Sequence, residues 1–212
     1  MTGSLPPDHT NGARPSTTSE PISDPVADGE APLPIVELSQ ACVRFVEAAL
    51  GVRLDFEPET LPVLDHYVAT RRAELIDKPE TMGLVARTVG AYFGEVVRRR
   101  IGSFWHVASD DPSTWEIRLI PVYLAFHPVG VAYDAITHGD QDGPTEYLRI
   151  EDEDREAIEA RLAELPPASD EEFFLLSTRL EVLEIAVDAI KARMMSSGVG
   201  DVAFSDADYD ED

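Results

Sequence analysis

The sequence predicts an α+β fold: a single domain of about six helices packed on a small, about three-stranded antiparallel sheet, with a disordered tail at each end. Three observations predict it. Apolar residues recur at helical spacing from Ile35 to Val97, the stretch from Ser103 to Phe126 switches to aromatic and β-branched residues with alternation, and helical spacing returns from Pro128 to Met195. A length of 212 residues with 43% hydrophobic content supports one substantial core and is short for two full domains.

Taken in order, residues 1–34 are rich in Pro, Ser, Thr, Asp and Gly and cannot bury enough apolar surface to offset the entropy of ordering. A disordered arm is expected there, and the globular domain is placed at 35–195. Leu38, Cys42, Phe45, Val46, Ala49 and Leu50 mark a first helix over about 35–50, stopped by Gly51. Leu61, Leu64, Tyr67, Val68 and Leu75 share one face of a second helix over about 59–77, with Pro58 and Pro62 near its start, where proline is tolerated. A third helix begins near Glu80, with Met82, Val85, Val89, Phe93, Val96 and Val97 as its apolar set.

Strands are expected in "SFWHVA", in "TWEIRLIP", where Trp115, Ile117 and Leu119 alternate with Glu116 and Arg118, and in "VYLAF"; the turn residues "SDDPS" separate the first two. An apolar helix then enters through Pro128, "DQDGPTE" reads as a loop, and amphipathic helices follow at 151–164 and 170–195. Residues 196–212 carry six acids and no base and read as an acidic, disordered tail.

The stretch "GAYFGEVVRRR" within the third helix bears most on function. A phosphate-cradling loop needs a preceding strand and a Lys-Ser/Thr pair; here Gly94 is followed by Glu-Val-Val and no strand precedes. Read as a helix, Gly90 and Gly94 stack one turn apart, with Ala86 and Met82 continuing the column. Each glycine costs about 1 kcal/mol of helix stability relative to alanine. Close approach of another backbone or a bulky ring offsets that cost, and Phe104, Trp105 and Trp115 are the candidate rings of a helix packed tightly on the sheet. Glu95 stands three and four residues before Arg98 and Arg99, the spacing of ion pairs on a solvated helix face. A functional alternative buries Glu95 beside His106 or His127, with a raised pKa suited to proton transfer in a hydrolase or small-ligand enzyme. Arg98, Arg99 and Arg100 form the one obvious local anion-binding cluster in the chain, at a helix end whose dipole favours cations.

Other chemistries lack their residues. His66, His106, His127 and His138 show neither i, i+4 pairing nor HExxH spacing, and Asp140 and Asp142 lack the remaining ligands of a calcium loop, so no metal and no cofactor is expected. The single cysteine, Cys42, sits in an apolar helical pattern and reads as a buried, inert thiol. No G-x-S-x-G is present. The formal net charge of −24 disfavours nucleic acid and anionic lipid and favours basic partners. With no signal peptide and no long apolar run, the expected location is cytoplasmic, with no membrane contact. Fifteen arginines against two lysines suggest a high-GC bacterial source.

At "LDHYVATRR", "VGAYFGEVVRRRIGSFW" and "VYLAFHPVGVAYDAI" the chain resembles an uncharacterised bacterial domain type, in which a helix with an Ala-Tyr-x-Gly-Glu core leads into an aromatic strand. The resemblance spans about residues 60–138 and implies a small α+β domain with no established activity, of a kind associated with immunity or accessory roles in toxin and secretion systems. The leading expectation is a non-enzymatic binding module for a basic protein partner. The alternatives are the Glu95 and histidine enzyme and a structural or regulatory domain whose disordered arms do the binding.

Overall fold

In the computed structural model the described residues are Met1, 30–139, 142–145 and 147–210. Most of the expected N-terminal arm therefore lies outside the described residues. Within 30–34, Leu33 and Pro34 already belong to the first helix.

Six helices of ten residues or more carry the fold. They are α1 (Leu33–Leu50), α2 (Leu61–Ile76), α3 (Pro79–Val97), α4 (Pro128–Thr137), α5 (Asp152–Leu162) and α7 (Leu176–Ser196), joined by the four-residue helices α6 (Asp170–Phe173) and α8 (Asp206–Tyr209). Gly51 ends α1 in the left-handed conformation at φ 70°, its N–H bonded to Glu47 O, which is the role only glycine fills without strain. The five α2 residues expected on one face are all buried. After Val97 the last turn of α3 widens into a π-helical turn at Arg98–Gly102, which delivers the chain into the sheet.

The sheet has four strands in the order β1 (Ser103–His106), β2 (Glu116–Leu119), β3 (Leu124–Phe126) and β4 (Arg149–Ile150), all antiparallel. Three were expected. The fourth is only two residues long and lies between the expected loop at 140–146 and the expected helix at 151–164. Register sorts the side chains into two sets. Trp105, Ile117 and Phe126 lie across from one another on the inner face, while Phe104, Arg118, Ala125 and Arg149 align on the outer face with the His106 and Glu116 pair beside them.

The inner face packs on α3, where the glycine column does its work. At Gly94 an added Cβ would fall 2.3 Å from Trp105 Cη2, so the indole lies flush on the helix as expected. At Gly90 it would fall 2.7 Å from Val129 Cα, so the second close approach is to the backbone of α4 and not to the sheet. Helix α3 is thus clamped between α1, α4 and the sheet, with every residue from Thr88 to Val97 buried. One domain with one dominant apolar cluster results.

Two expectations need correction. The helix expected over 170–195 breaks at Phe174 and Leu175 into α6 and α7. Ser169 caps α6 reciprocally with Glu172, and the first N–H groups of α7 are capped from far away, by Asp65 of α2. Nor does the chain trail off as a disordered tail after Ser196. It runs exposed through residues 197–203 and then docks on the outer face of the sheet, where Tyr209 is 2% exposed. An acidic stretch orders here because Arg118 and Arg149 give its carboxylates and carbonyls partners.

Candidate functional site

The end of α3 carries Glu95, the expected acid or base. Glu95 is buried, not solvated, and it meets no histidine among the described residues. Its carboxylate accepts from Arg98 Nε at 2.7 Å, from Arg98 Nη2 at 3.0 Å and from Trp105 Nε1 at 2.8 Å, with Arg99 Nη2 at 3.6 Å. Burial pushes the carboxyl up, but the Arg98 and Trp105 hydrogen bonds and the two guanidinium charges outweigh it and hold Glu95 below the usual carboxylate range. The i+3 and i+4 pairing was legible; the burial comes from the indole of Trp105 closing over the pair. A carboxylate kept ionised and saturated with donors anchors Trp105 on Gly94. It is not poised to take up a proton.

The three arginines part company. Arg98 turns inward to Glu95. Arg99 lies over the Phe56 ring at 4.2 Å, and Arg100 pairs with Glu184 of α7 at 2.6 Å. Phe56 holds φ at 68°, an unusual conformation for an aromatic residue, fixed by its N–H bond to Tyr92 Oη at 2.9 Å and by stacking on that ring. Together Phe56, Leu61, Val96 and Leu180 floor an open cavity of about 530 Å³ whose rim carries Glu57, Glu59, Glu181 and Glu184 as well as Arg99 and Arg100. Because Arg100 is engaged by Glu184, the remaining rim is led by carboxylates.

The outer face of the sheet holds a second ionic cluster. Glu116 and Arg118 are both buried, bonded Nε to Oε2 at 3.0 Å. Arg149 Nη2 reaches Glu116 Oε1 at 3.4 Å, and His127 Nε2 lies 3.6 Å from the same oxygen. His127, together with the Arg118 and Arg149 guanidiniums, holds the Glu116 carboxyl down at about 2 against the cost of its burial. From the C-terminal segment Asp206 and Asp210 reach Arg118 Nη1 at 2.6 and 3.0 Å, and Asp206 also meets His106 Nδ1 at 3.2 Å. His106, Asp206 and Asp210 converge closely enough to suggest metal ligation. The position between the two carboxylates is taken by the Arg118 guanidinium, which already supplies the cation. His106 and His127 thus each have a carboxylate, but these are Asp206 and Glu116, and neither is Glu95.

The alternation that places Glu116 and Arg118 on a strand does not show that the outer face is covered. The available signal was in the tail: Ser205 and Asp208 stand at capping-box spacing, and Phe204 and Tyr209 are its two aromatics. Asp65 and Cys42 are the remaining buried titratable groups of interest. Burial raises Asp65 despite its bonds to Leu176 N, Ser177 N and Ser177 Oγ, and those bonds make it the cap of α7. Burial also pushes the Cys42 thiol far up, away from the reactive thiolate.

Fold and clusters together define a single-domain, acidic α+β protein in which Glu95, Glu116, Arg118 and Asp154 are buried as ion pairs and Asp65 as a helix cap. The chain matches no protein-family model, no curated protein and no solved structure. Among the described residues no helix is long and apolar enough to cross a membrane.

Proposed function

We propose that this chain is a non-enzymatic cytoplasmic binding module that engages a basic protein partner, in the manner of an immunity or secretion-system accessory protein. The observation that carries the reading is how its charges are distributed. Arg98, Arg118, Arg149 and Arg193 are turned onto internal carboxylates or onto the C-terminal segment, while Glu57, Glu59 and Glu181 stand exposed around an apolar-floored cavity in a chain of net charge −24. Such a rim attracts a cationic side chain, and the wider field speeds the encounter.

The test is affinity isolation from the host cell followed by binding measurements with the purified partner across salt concentrations. A basic partner whose affinity falls with salt, and falls again when Glu57, Glu59 and Glu181 are changed to Gln, supports the reading. Binding indifferent to both refutes it.

A further inference from the structure

Residues 204–210 are held on the body of the protein as a ligand is held. The tether that carries them, 197–203, is exposed throughout, and a Cβ added at Gly198 or Gly200 meets nothing. The segment does not extend the sheet as a fifth strand. Three main-chain groups bond it, Phe204 N–H to Ile120 O at 2.8 Å, Tyr209 O accepting from Arg149 Nη1 at 2.9 Å and Asp206 O accepting from Arg118 Nη1 at 3.4 Å; the rest is side-chain recognition.

That recognition has two parts. The Tyr209 phenol enters a socket of backbone groups where β2 turns toward β3, with Leu119 O, Val122 O and Leu124 O at 2.8, 3.1 and 3.0 Å and Leu124 N at 3.0 Å. Its ring stacks on Tyr123 at 4.6 Å and meets Phe104 edge-on at 6.2 Å. On either flank of Tyr209, three residues before it and one after, the carboxylates of Asp206 and Asp210 close on Arg118, whose guanidinium also lies 5.3 Å from the Tyr209 ring. Without the segment, the same face would present Arg118, Arg149, His106 and His127 around the carboxylate of Glu116, with Glu151 and the Asp154–Arg193 pair at its edge beside Tyr123. It would be a basic, aromatic-lined surface on an otherwise acidic protein.

We propose that this face is a docking site for acidic, tyrosine-bearing peptide segments of the type Phe-Ser-Asp-x-Asp-Tyr-Asp, filled in cis by the chain's own residues 204–210. A tether of this length gives the cis segment an effective concentration on the order of millimolar, so it excludes competitors present at micromolar levels. A partner segment of the same chemistry gains the site when the cis segment is displaced or cut away. The acidic rim invoked for the basic partner lies elsewhere, on Glu57, Glu59 and Glu181, so the two readings stand or fall separately.

To test it, the full chain is given a protease site between Gly200 and Asp201, folded, and only then cut, so that the body never folds without its segment. A fluorescent peptide of residues 201–212 is added to cut and uncut protein and followed by polarisation. The expected result is exchange into the cut protein at one peptide per chain, little uptake by the uncut protein, and weakening in raised salt. Peptides carrying Tyr209→Phe, or Asp206→Asn with Asp210→Asn, bind at least about ten-fold more weakly, a difference of about 1.4 kcal/mol. These variants alter the ligand alone and leave the body intact. Equal uptake by cut and uncut protein, no uptake by a cut protein that keeps its circular dichroism, or equal binding of the variant peptides would overturn the proposal. Loss of the body's fold once the fragment leaves would overturn it too, since the segment would then be part of the core.

Discussion

Three glycines of α3 give a test with its own internal control. Gly83, Gly90 and Gly94 all lie within the helix, so alanine at any of them gains about 1 kcal/mol of helix propensity. What the new methyl meets differs. At Gly83 it meets nothing within 4 Å, and Gly83→Ala should stabilise the protein by up to about 1 kcal/mol. At Gly90 it would lie 2.7 to 2.8 Å from Val129 Cα, Val129 N and Pro128 O, all backbone of α4, which cannot step aside as a side chain can. Overpacking of this kind costs about 1–3 kcal/mol, so Gly90→Ala should be destabilised on balance despite the propensity gain. In a domain of this size each kcal/mol shifts Tm by about 2–4 °C, enough to resolve by thermal unfolding or a urea titration. At Gly94 the methyl would strike Trp105 at 2.3 and 2.4 Å; the indole has to move off Glu95, and tryptophan emission should shift red along with the loss of stability. A Gly90→Ala protein as stable as Gly83→Ala would refute the reasoning, because the two share the propensity gain and differ only in the approach of α4.

Three further outcomes are expected. Glu116 has a folded pKa depressed from 4.5 to about 2, so it contributes stability that is present above the unfolded value near 4.5 and lost as pH falls toward about 2; at 1.36 kcal/mol per unit this is about 3 kcal/mol, and Glu116→Gln should flatten that part of an acid-unfolding curve. Asp65→Ala leaves the Leu176 and Ser177 N–H groups without their acceptor and should cost about 1–3 kcal/mol in urea unfolding, with faster hydrogen exchange at the start of α7. Trp105→Phe removes the indole donor from Glu95 while keeping a ring on Gly94, and should cost about 1.5–3 kcal/mol, the range for a hydrogen bond to a charged group.

What was legible in the sequence were the features set by local chemistry. The apolar face of α2, the Gly51 stop, the strands at 103–126 and the proline-led entry of α4 all follow from residues that act within a turn or two of themselves. The close approach at Gly94 was legible because two glycines one turn apart in a helix demand a reason. What was not legible depends on distant partners. The break between α6 and α7 has neither Gly nor Pro to announce it; it is fixed by Asp65, far away in the chain, and by Phe174 stacking on His138. The short strand β4 exists because β3 offers it an edge. The acidity of the tail argues against order when considered alone, and the arginines that give its carboxylates and carbonyls partners lie on β2 and β4. Glu95 shows both kinds of feature at once: the spacing to Arg98 and Arg99 gives the ion pairs, while only the fold brings Trp105 over them.

In the proposed function, a basic protein would bind at the acidic rim of the cavity between α2, α3 and α7. The most direct measurement is the affinity of the isolated partner for the wild-type chain and for the chain carrying Glu57→Gln, Glu59→Gln and Glu181→Gln, by calorimetry at low and at raised salt. The account predicts a wild-type affinity that falls as salt rises and a triple variant weaker by about ten-fold or more at low salt, with the difference shrinking as salt screens it. Equal affinities at every salt concentration, in a variant that unfolds like the wild type, would contradict it.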